Sequence, residues 1–283
     1  MKLAAYAKVN LFLEVLGKRP DGYHALRSLV LPVSLADDVE ALPSEDGSIS
    51  SDAPFADDLC VKAACALAAA TGCKRGARIS VTKRIPVGGG LGGGSADAAA
   101  TLRALNTLWE LHLPTETLCE IASSVGSDVP ALLLGGPVLM EGRGEIVSRF
   151  GSVPPLHLVL ANPGVFSSTK LVYGALAENL SSPSASDRKI CYNMRTALER
   201  GNLADIAAAA VNDLASPAMA LYPEIADAAA ALRSAGAVGV TVSGSGSTVF
   251  GLVPDQARGR ETAAQLEAKG LKAWSVSSVC PVM

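Results

Sequence analysis

The sequence predicts an α+β protein of two domains, and three observations carry that prediction. Segments with strand alternation are interspersed with segments of helical periodicity, and hairpin-type turns join them as well as crossovers. A glycine-dense stretch at 86–97, PVGGGLGGGSAD, runs directly into a helical pattern. A Gly/Pro cluster at 151–155, GSVPP, divides the chain into a domain of residues 1–150 that holds the glycine stretch and a second of residues 151–283. With 283 residues the chain is long enough for one large domain or two ordinary ones.

Residues 2–16 alternate well enough for strand, and GKRPDG at 17–22 is a turn cluster of the hairpin kind. Residues 25–35 read as the next strand, with Pro32 marking an edge because proline brings no N–H to a ladder. The polar, acidic segment 43–55 reads as loop. Residues 57–71 form a helix with Asp57 or Asp58 as its N-cap and Gly72 as its stop. Residues 77–83 alternate as a strand. After the glycines a helix runs from Ser95 to Trp109, with Ala98, Leu102, Leu105 and Trp109 on one face. A helix at 115–125 leads to GSDVP, and 130–147 holds two short strands around Gly135-Gly136 and Gly142. Beyond the boundary come a strand at 156–161, a helix near 168–178 and a Ser/Pro-rich loop at 181–186. Ala-rich helices follow at 195–211 and 223–235. Strands at 238–243 and 248–253 flank a GSGS loop, and a helix at 255–269 and a strand at 272–279 close the chain. No internal repeat is evident.

Composition narrows the function. Hydrophobic residues make up 49%, enough for a sizeable core, while the net charge of −3 argues against nucleic-acid or membrane-surface partners. Six scattered cysteines without a CxxC read as reduced, mostly buried thiols. Three histidines without an HExxH argue against a metal cage built by the protein. The N-terminal MKLAAYAKVNLFLEVL has the lysine and apolar residues of a signal peptide, but Lys8, Asn10 and Glu14 interrupt its apolar run. No apolar stretch reaches the length of a membrane span, so a cytoplasmic protein is expected.

Six of the twelve residues at 86–97 are glycine. A Walker A loop would need a lysine after them, and Ser95-Ala96-Asp97 stands there. Gly88, Gly90 and Gly93 satisfy the dinucleotide pattern GxGxxG, and Glu110 sits near the ribose-binding distance. Six glycines make that match almost unavoidable, however, and Glu110 continues a helix where the pattern requires a second strand. The remaining reading is a glycine loop at a helix N-terminus, where free N–H groups and the positive end of the helix dipole hold an anion. Ser95 would cap that helix and turn its hydroxyl to a phosphate or to magnesium. A packing turn would need one or two glycines, not six. No VAIK, HRD or DFG is present, so this is not a protein kinase. Transfer chemistry needs charged groups besides the loop. Lys8 stands in an apolar strand, AYAKVNLFL, and Asp128 in GSDVP. Taken singly, each fits better as an outward strand residue and a turn or cap aspartate.

Together these segments form a pattern. AKVNLFLEVLGKRPDGYH, PVGGGLGGGSADAAATL, GSDVP and VSGSGSTVFGL occur in this order over nearly the whole chain. The sequence resembles the GHMP kinase superfamily, which includes galactokinase and the homoserine, mevalonate and phosphomevalonate kinases. AKVNLFL, RPDGYH, GSDVP and NDL are its most selective segments, and they bring it nearest the branch whose acceptor is 4-diphosphocytidyl-2-C-methyl-D-erythritol.

The resemblance implies a ribosomal-protein-S5-like N-terminal domain and a ferredoxin-like C-terminal domain, with the active site in the cleft between them. It implies ATP and Mg²⁺, and phosphorylation of the acceptor's 2-hydroxyl in the non-mevalonate isoprenoid pathway. By position, Asp128 is then the base that accepts the hydroxyl proton. Lys8 is its partner, since a neighbouring cation favours the ionised carboxylate. Asn10 contacts the methylerythritol. Pro86, Val87, Gly88, Gly89, Gly90, Leu91, Gly92, Gly93, Gly94, Ser95 and Ala96 cradle the ATP phosphates. Gly244, Ser245 and Gly246 shape the cleft from the C-terminal side. Tyr23, His24 and Tyr173 supply stacking and hydrogen bonds to cytosine. No second carboxylate stands out beside the loop, which leaves the metal to phosphates and water. Monomer and homodimer both fit. A homoserine- or mevalonate-type kinase is disfavoured because its acceptor has no base to stack, and a non-catalytic nucleotide-binding module has no need of Lys8 and Asp128.

Overall fold

The computed structural model describes residues 1–53, 58–177 and 190–280. The first half contains β1 (Lys2–Lys18), β2 (His24–Ser44), β3 (Ile49–Ser51), α1 (Leu59–Thr71), β4 (Gly76–Thr82), α2 (Gly93–Leu108), α3 (Thr115–Ser123), α4 (Val129–Leu134), β5 (Val138–Gly142) and β6 (Ile146–Arg149). The second contains β7 (His157–Asn162), α5 (Thr169–Ala177), α6 (Ile190–Arg200), α7 (Leu203–Ala209), α8 (Ala215–Leu221), α9 (Pro223–Ser234), β8 (Val238–Val242), β9 (Val249–Val253), α10 (Gln256–Glu267) and β10 (Lys272–Ser277). Asp57 and the loop at 181–186 lie outside the described residues.

The expected α+β class holds. Strands β1 to β6 form one sheet, with β2 at its centre. β1 runs antiparallel to β2 along its length, from Lys2 opposite Glu40 to Lys18 opposite His24. The turn between them closes with the Arg19 N–H donating to Tyr23 O at 2.7 Å. On its other side β2 pairs first with β5, up to Val30, and then with β4, from Asp38 onward. Pro32 falls in the gap between these two partners, beside a register shift in β1. Its missing N–H is harmless there, so proline marks a change of partner in a central strand and not the sheet edge expected from sequence.

Strands β7 to β10 form a separate antiparallel sheet in the order β10-β7-β9-β8. In this half's own numbering that order is 4-1-3-2, the ferredoxin-like arrangement. Its sheet begins seven residues after β6 ends. Three large packed clusters and a small one, of Val30, Ala131, Val138 and Met140, make up the core. One joins α1, α2, α3 and α4 to the first sheet, and another packs the second half around Leu13 and Val15 of β1. The third joins the halves: Val9, Leu11, Leu29 and Leu31 pack with Leu158, Leu160, Met194 and Phe250. Consequently β1 is buried without alternation from Ala7 to Val15.

Several local readings change. Residues 43–55 include the short strand β3, and β2 extends nine residues past the predicted strand. VPALLL at 129–134 is helix α4 and not strand, with proline in its first turn where no intrahelical N–H is needed. The two strands expected between 130 and 147 are β5 and β6, which follow it. The predicted helix 195–211 is broken at Gly201, where φ is +66°. Asn202 restarts it by accepting from the N–H groups of Ala204 and Asp205. Helix α8 was not foreseen. Asp58 does cap α1 and Gly72 ends it. Of the six cysteines only Cys60 is fully buried, and Cys65 and Cys280 are exposed, so the expectation of mostly buried thiols fails. Among the described residues no helix is long and apolar enough to cross a membrane.

Candidate active site

Because both faces of β1 are covered, Lys8 is 5% exposed and not the outward residue its strand position suggests. A buried ammonium needs partners. Lys8 Nζ donates to Asn10 Oδ1 at 2.7 Å and lies 3.6 Å from Asp128 Oδ2. Asn10 is fixed in turn: its Nδ2 donates to Ser28 Oγ at 2.8 Å, and Ser28 donates to Phe12 O at 2.6 Å. Asp128 occupies the N-cap position of α4, yet its side chain makes no capping bond. Its carboxylate is left for Lys8 and for a cleft of about 870 Å³ lined also by Asn10, Tyr23, His24, Tyr173, Gly244 and Ser245. Residues 120 apart in sequence thus form one charged pair at the cleft floor.

A second cavity of about 310 Å³ adjoins the first, with Gly90 and Gly92 lining both. Its wall is the glycine stretch, including Pro86, Val87, Gly88, Gly89, Gly93, Gly94 and Ser95. The side chains of Leu91 and Ala96 do not line it. The Leu91 side chain sits in the core shared by the halves, and Ala96, in the first turn of α2, is buried in the core of the first half. Helix α2 starts at Gly93 with Gly92 as its N-cap, so Ser95 lies inside the first turn and does not cap it. The loop's two kinds of polar group are treated differently. Gly89 O accepts from Thr248 N, Gly90 O from Ser243 Oγ, Leu91 O from Lys8 N and Gly92 O from Ala96 N. Among the described residues nothing accepts from the backbone N–H groups of Gly88 to Ser95. Carbonyls tied back and amides turned out, at a helix N-terminus, are an arrangement suited to an anion.

Gly90 is required for a second reason. Its φ is +74°, and a Cβ there would stand 2.1 Å from Ser243 O. The loop that crowds it, SGSGS at 243–247, is anchored by Asn212. That residue's Nδ2 donates to Val242 O and Gly244 O at 2.7 Å each, while its Oδ1 accepts from Leu214 N. Ser245 is held by Ser167, just before α5, whose Oγ donates to its carbonyl at 2.6 Å, and by Thr169 of α5 at its hydroxyl.

The aromatic residues meet across the cleft. His24, at the start of β2, stacks on Tyr173 of α5 with centroids 5.2 Å apart and 28° between planes. Burial, aided by Lys18, lowers the His24 pKa, and its Nε2 has no partner. Burial and then the nearby Asp128 charge push the Tyr173 hydroxyl up to about 12. Tyr23 is 57% exposed, with the Arg143 guanidinium 5.3 Å over its ring.

One charged group escaped the sequence reading. Asp97 does stand beside the loop. Lys83 Nζ bridges it to Asp37, at 2.6 Å from Asp97 Oδ2 and 2.5 Å from Asp37 Oδ2. No spacing rule connects positions 37, 83 and 97; the only local signal was a carboxylate on an otherwise apolar helix face.

The chain matches two family models, GHMP kinases N terminal domain over residues 58–136 and GHMP kinases C terminal over residues 194–272. It is 44% identical over 267 residues to a 4-diphosphocytidyl-2-C-methyl-D-erythritol kinase of Pelotomaculum thermopropionicum, covering 92% of each chain. A protein of the same name from Paramagnetospirillum magneticum is 42% identical over 285 residues, with 96% of this chain and 95% of that one covered. Among solved structures, a 4-(cytidine 5'-diphospho)-2C-methyl-D-erythritol kinase superimposes with a TM-score of 0.85 at 36% identity over 98% of both chains. Homoserine kinase from Cytophaga hutchinsonii shares the fold, with a TM-score of 0.76 at 21% identity over 99% of this chain and 94% of that one.

Proposed function

The chain belongs to the GHMP kinase family, and we propose that it transfers the γ-phosphoryl group of ATP to the 2-hydroxyl of 4-diphosphocytidyl-2-C-methyl-D-erythritol. One observation carries the reading: the Lys8–Asp128 pair stands in a cleft that joins a glycine-walled cavity through Gly90 and Gly92. Transfer requires a donor phosphate and an acceptor oxygen in line, and two joined cavities provide for both.

The smaller cavity takes the nucleotide, whose phosphates lie on the free N–H groups of Gly88 to Ser95. Asp128 accepts the proton of the attacking hydroxyl. Lys8 holds that carboxylate in place, and Asn10 presents Oδ1 to Lys8 at the acceptor's side. Magnesium, bound with ATP, would supply neutralisation of the phosphate charge. An ion that arrives on the nucleotide would keep phosphate oxygens and water among its ligands.

Cytosine is recognised at the cleft mouth by Tyr23, His24 and Tyr173. The bare Nε2 of His24 suits the donor and acceptor edge of the base, and the ring of Tyr173 suits its face. The relatives' names support this acceptor over homoserine or mevalonate, which have no base. The enzyme works in the cytoplasm, in the non-mevalonate route to isoprenoid precursors, as a monomer or homodimer.

The test is ADP release from purified protein with ATP and Mg²⁺, with the cytidyl acceptor, homoserine and mevalonate in parallel. Release that depends on the cytidyl acceptor is the expected result. Release with another acceptor removes the cytosine assignment. ATP binding without turnover on any acceptor points to a binding module. With Asp128→Asn, kcat falls by about 10³-fold while ATP affinity changes little. Equal losses in both would take the base role away from Asp128.

A further inference from the structure

Lys83 lies directly beneath the phosphate loop. A Cβ on Gly93, the first residue of α2, would stand 3.2 Å from its Nζ. Two carboxylates share this one cation, and they are unequally served. Asp37 is fully buried and accepts three donors: Lys83 Nζ, the backbone N–H of Arg84, and that of Ile85 at 2.8 Å. Asp97 is 5% exposed and has only the lysine, through Oδ2, while its Oδ1 is buried without a partner. Its residue lines the glycine-walled cavity. A bare buried carboxylate oxygen beside an anion site carries an unfavourable charge, and a bound phosphate makes that charge still less favourable.

The other charged or titratable neighbours do not remove the imbalance. Asp58 and Cys60, at the start of α1, line the same cavity; Asp58 also has a bare oxygen, Oδ2, and burial pushes the Cys60 thiol up to about 12, so it stays neutral. Arg84 acts on Asp37 and pairs with Asp38 at 2.7 Å. Thr101 Oγ1 donates to the Asp97 carbonyl and not to its carboxylate. Burial works against the Lys83 charge, but its two carboxylates outweigh it and raise its pKa.

We propose that Asp97 is a positioning residue for the phosphate loop, acting through Lys83, and that it takes up a proton from solvent when an anionic nucleotide binds. The proposal rests on the nucleotide reading of the loop given above. Protonation at Oδ1 leaves Asp37 as the single carboxylate opposite Lys83, so the ammonium and the free amides meet the phosphates over a neutral pair. Burial, opposed by Lys83 and reinforced by Asp37, pushes the Asp97 carboxyl up to about 7 in the empty protein, which puts the exchange within reach of neutral pH. The sign follows: binding that takes up a proton strengthens as pH falls through this value and weakens above it.

The experiment titrates the full chain with ADP, without magnesium, by calorimetry in buffers of different ionisation enthalpy. Near pH 8.5 the ADP phosphates are already ionised, and the expected uptake is about half a proton or more. Affinity should weaken about five- to tenfold from about pH 6.5 to about pH 8.5. Asp97→Asn, which mimics the protonated shape, should show no uptake and keep the low-pH affinity of the native chain at high pH. A merely structural Asp97 predicts the opposite, a variant that binds more weakly at every pH. Native binding without uptake, or uptake that survives in Asp97→Asn, overturns the proposal. If that variant does not fold, the native uptake alone decides. ADP that fails to bind at any pH strikes the nucleotide reading instead.

Discussion

Two glycine-rich loops face each other across the active site, and they use the same residue type in opposite ways. In the loop at 86–97 the carbonyls of Gly89, Gly90, Leu91 and Gly92 bond to the protein, while the amides of Gly88 to Ser95 meet no acceptor among the described residues. The loop at 243–247 closes on itself, with Gly246 N–H on Ser243 O and Ser243 N–H on Thr248 O, and Asn212, Ser167 and Thr169 anchor it from outside. One loop is prepared for a ligand, and the other holds the first in shape. The difference teaches that glycine content identifies a loop but not its task. The direction of the free N–H groups does that.

Substitutions can break this comparison, and the largest effect belongs to the contact between the loops. Gly90→Ala should lower stability by about 3 kcal/mol or more and abolish nucleotide binding, because its Cβ meets Ser243 O at 2.1 Å in a left-handed backbone. Urea unfolding and ADP titration would measure both. Native stability in that variant would mean the loops are not locked together.

A smaller effect is expected at the anchor. Asn212→Ala leaves two carbonyls and one amide without partners, and should lower stability by about 2 kcal/mol while the folded fraction still binds ATP. Unchanged stability with lost ATP binding would make 243–247 a ligand loop in its own right. The smallest effect is at Gly94, where an added Cβ meets only Leu59 Cδ1 at 3.5 Å and φ is not positive. Gly94→Ala should change stability by no more than about 1 kcal/mol, since the helix gains what the loop does not lose. Binding should weaken only slightly, because the amide remains. A loss like that of Gly90→Ala would show that all six glycines serve packing, which would remove the phosphate reading.

Much of the site was legible before the structure. The glycine stretch, Lys8, Asn10, Asp128, His24 and Tyr173 line the two joined cavities. Other features were not legible. Leu91 and Ala96 sit inside the quoted loop but turn to the core, because a loop packed against two cores must bury one side. Ser95 looked like a cap, but with Gly92, left-handed at φ 68°, as N-cap the helix begins at Gly93, two residues before Ser95. The break at Gly201-Asn202 was written locally and missed under an alanine-rich helical period.

The sequence by itself determined the α+β class, the helix starts and stops with strong caps, a glycine-rich loop leading into a helix, and the family. These follow from short-range sterics, hydrogen bonding and periodicity, which act within a few residues of each position. Only the tertiary structure decided that Lys8 is buried and lies 3.6 Å from Asp128, and that Asp97 shares Lys83 with Asp37. It also decided that Gly90 must be glycine because a loop 153 residues away leaves no room. Such pairings depend on closing long stretches of chain and packing the two halves on one core. No local pattern encodes the energy of a contact between distant segments.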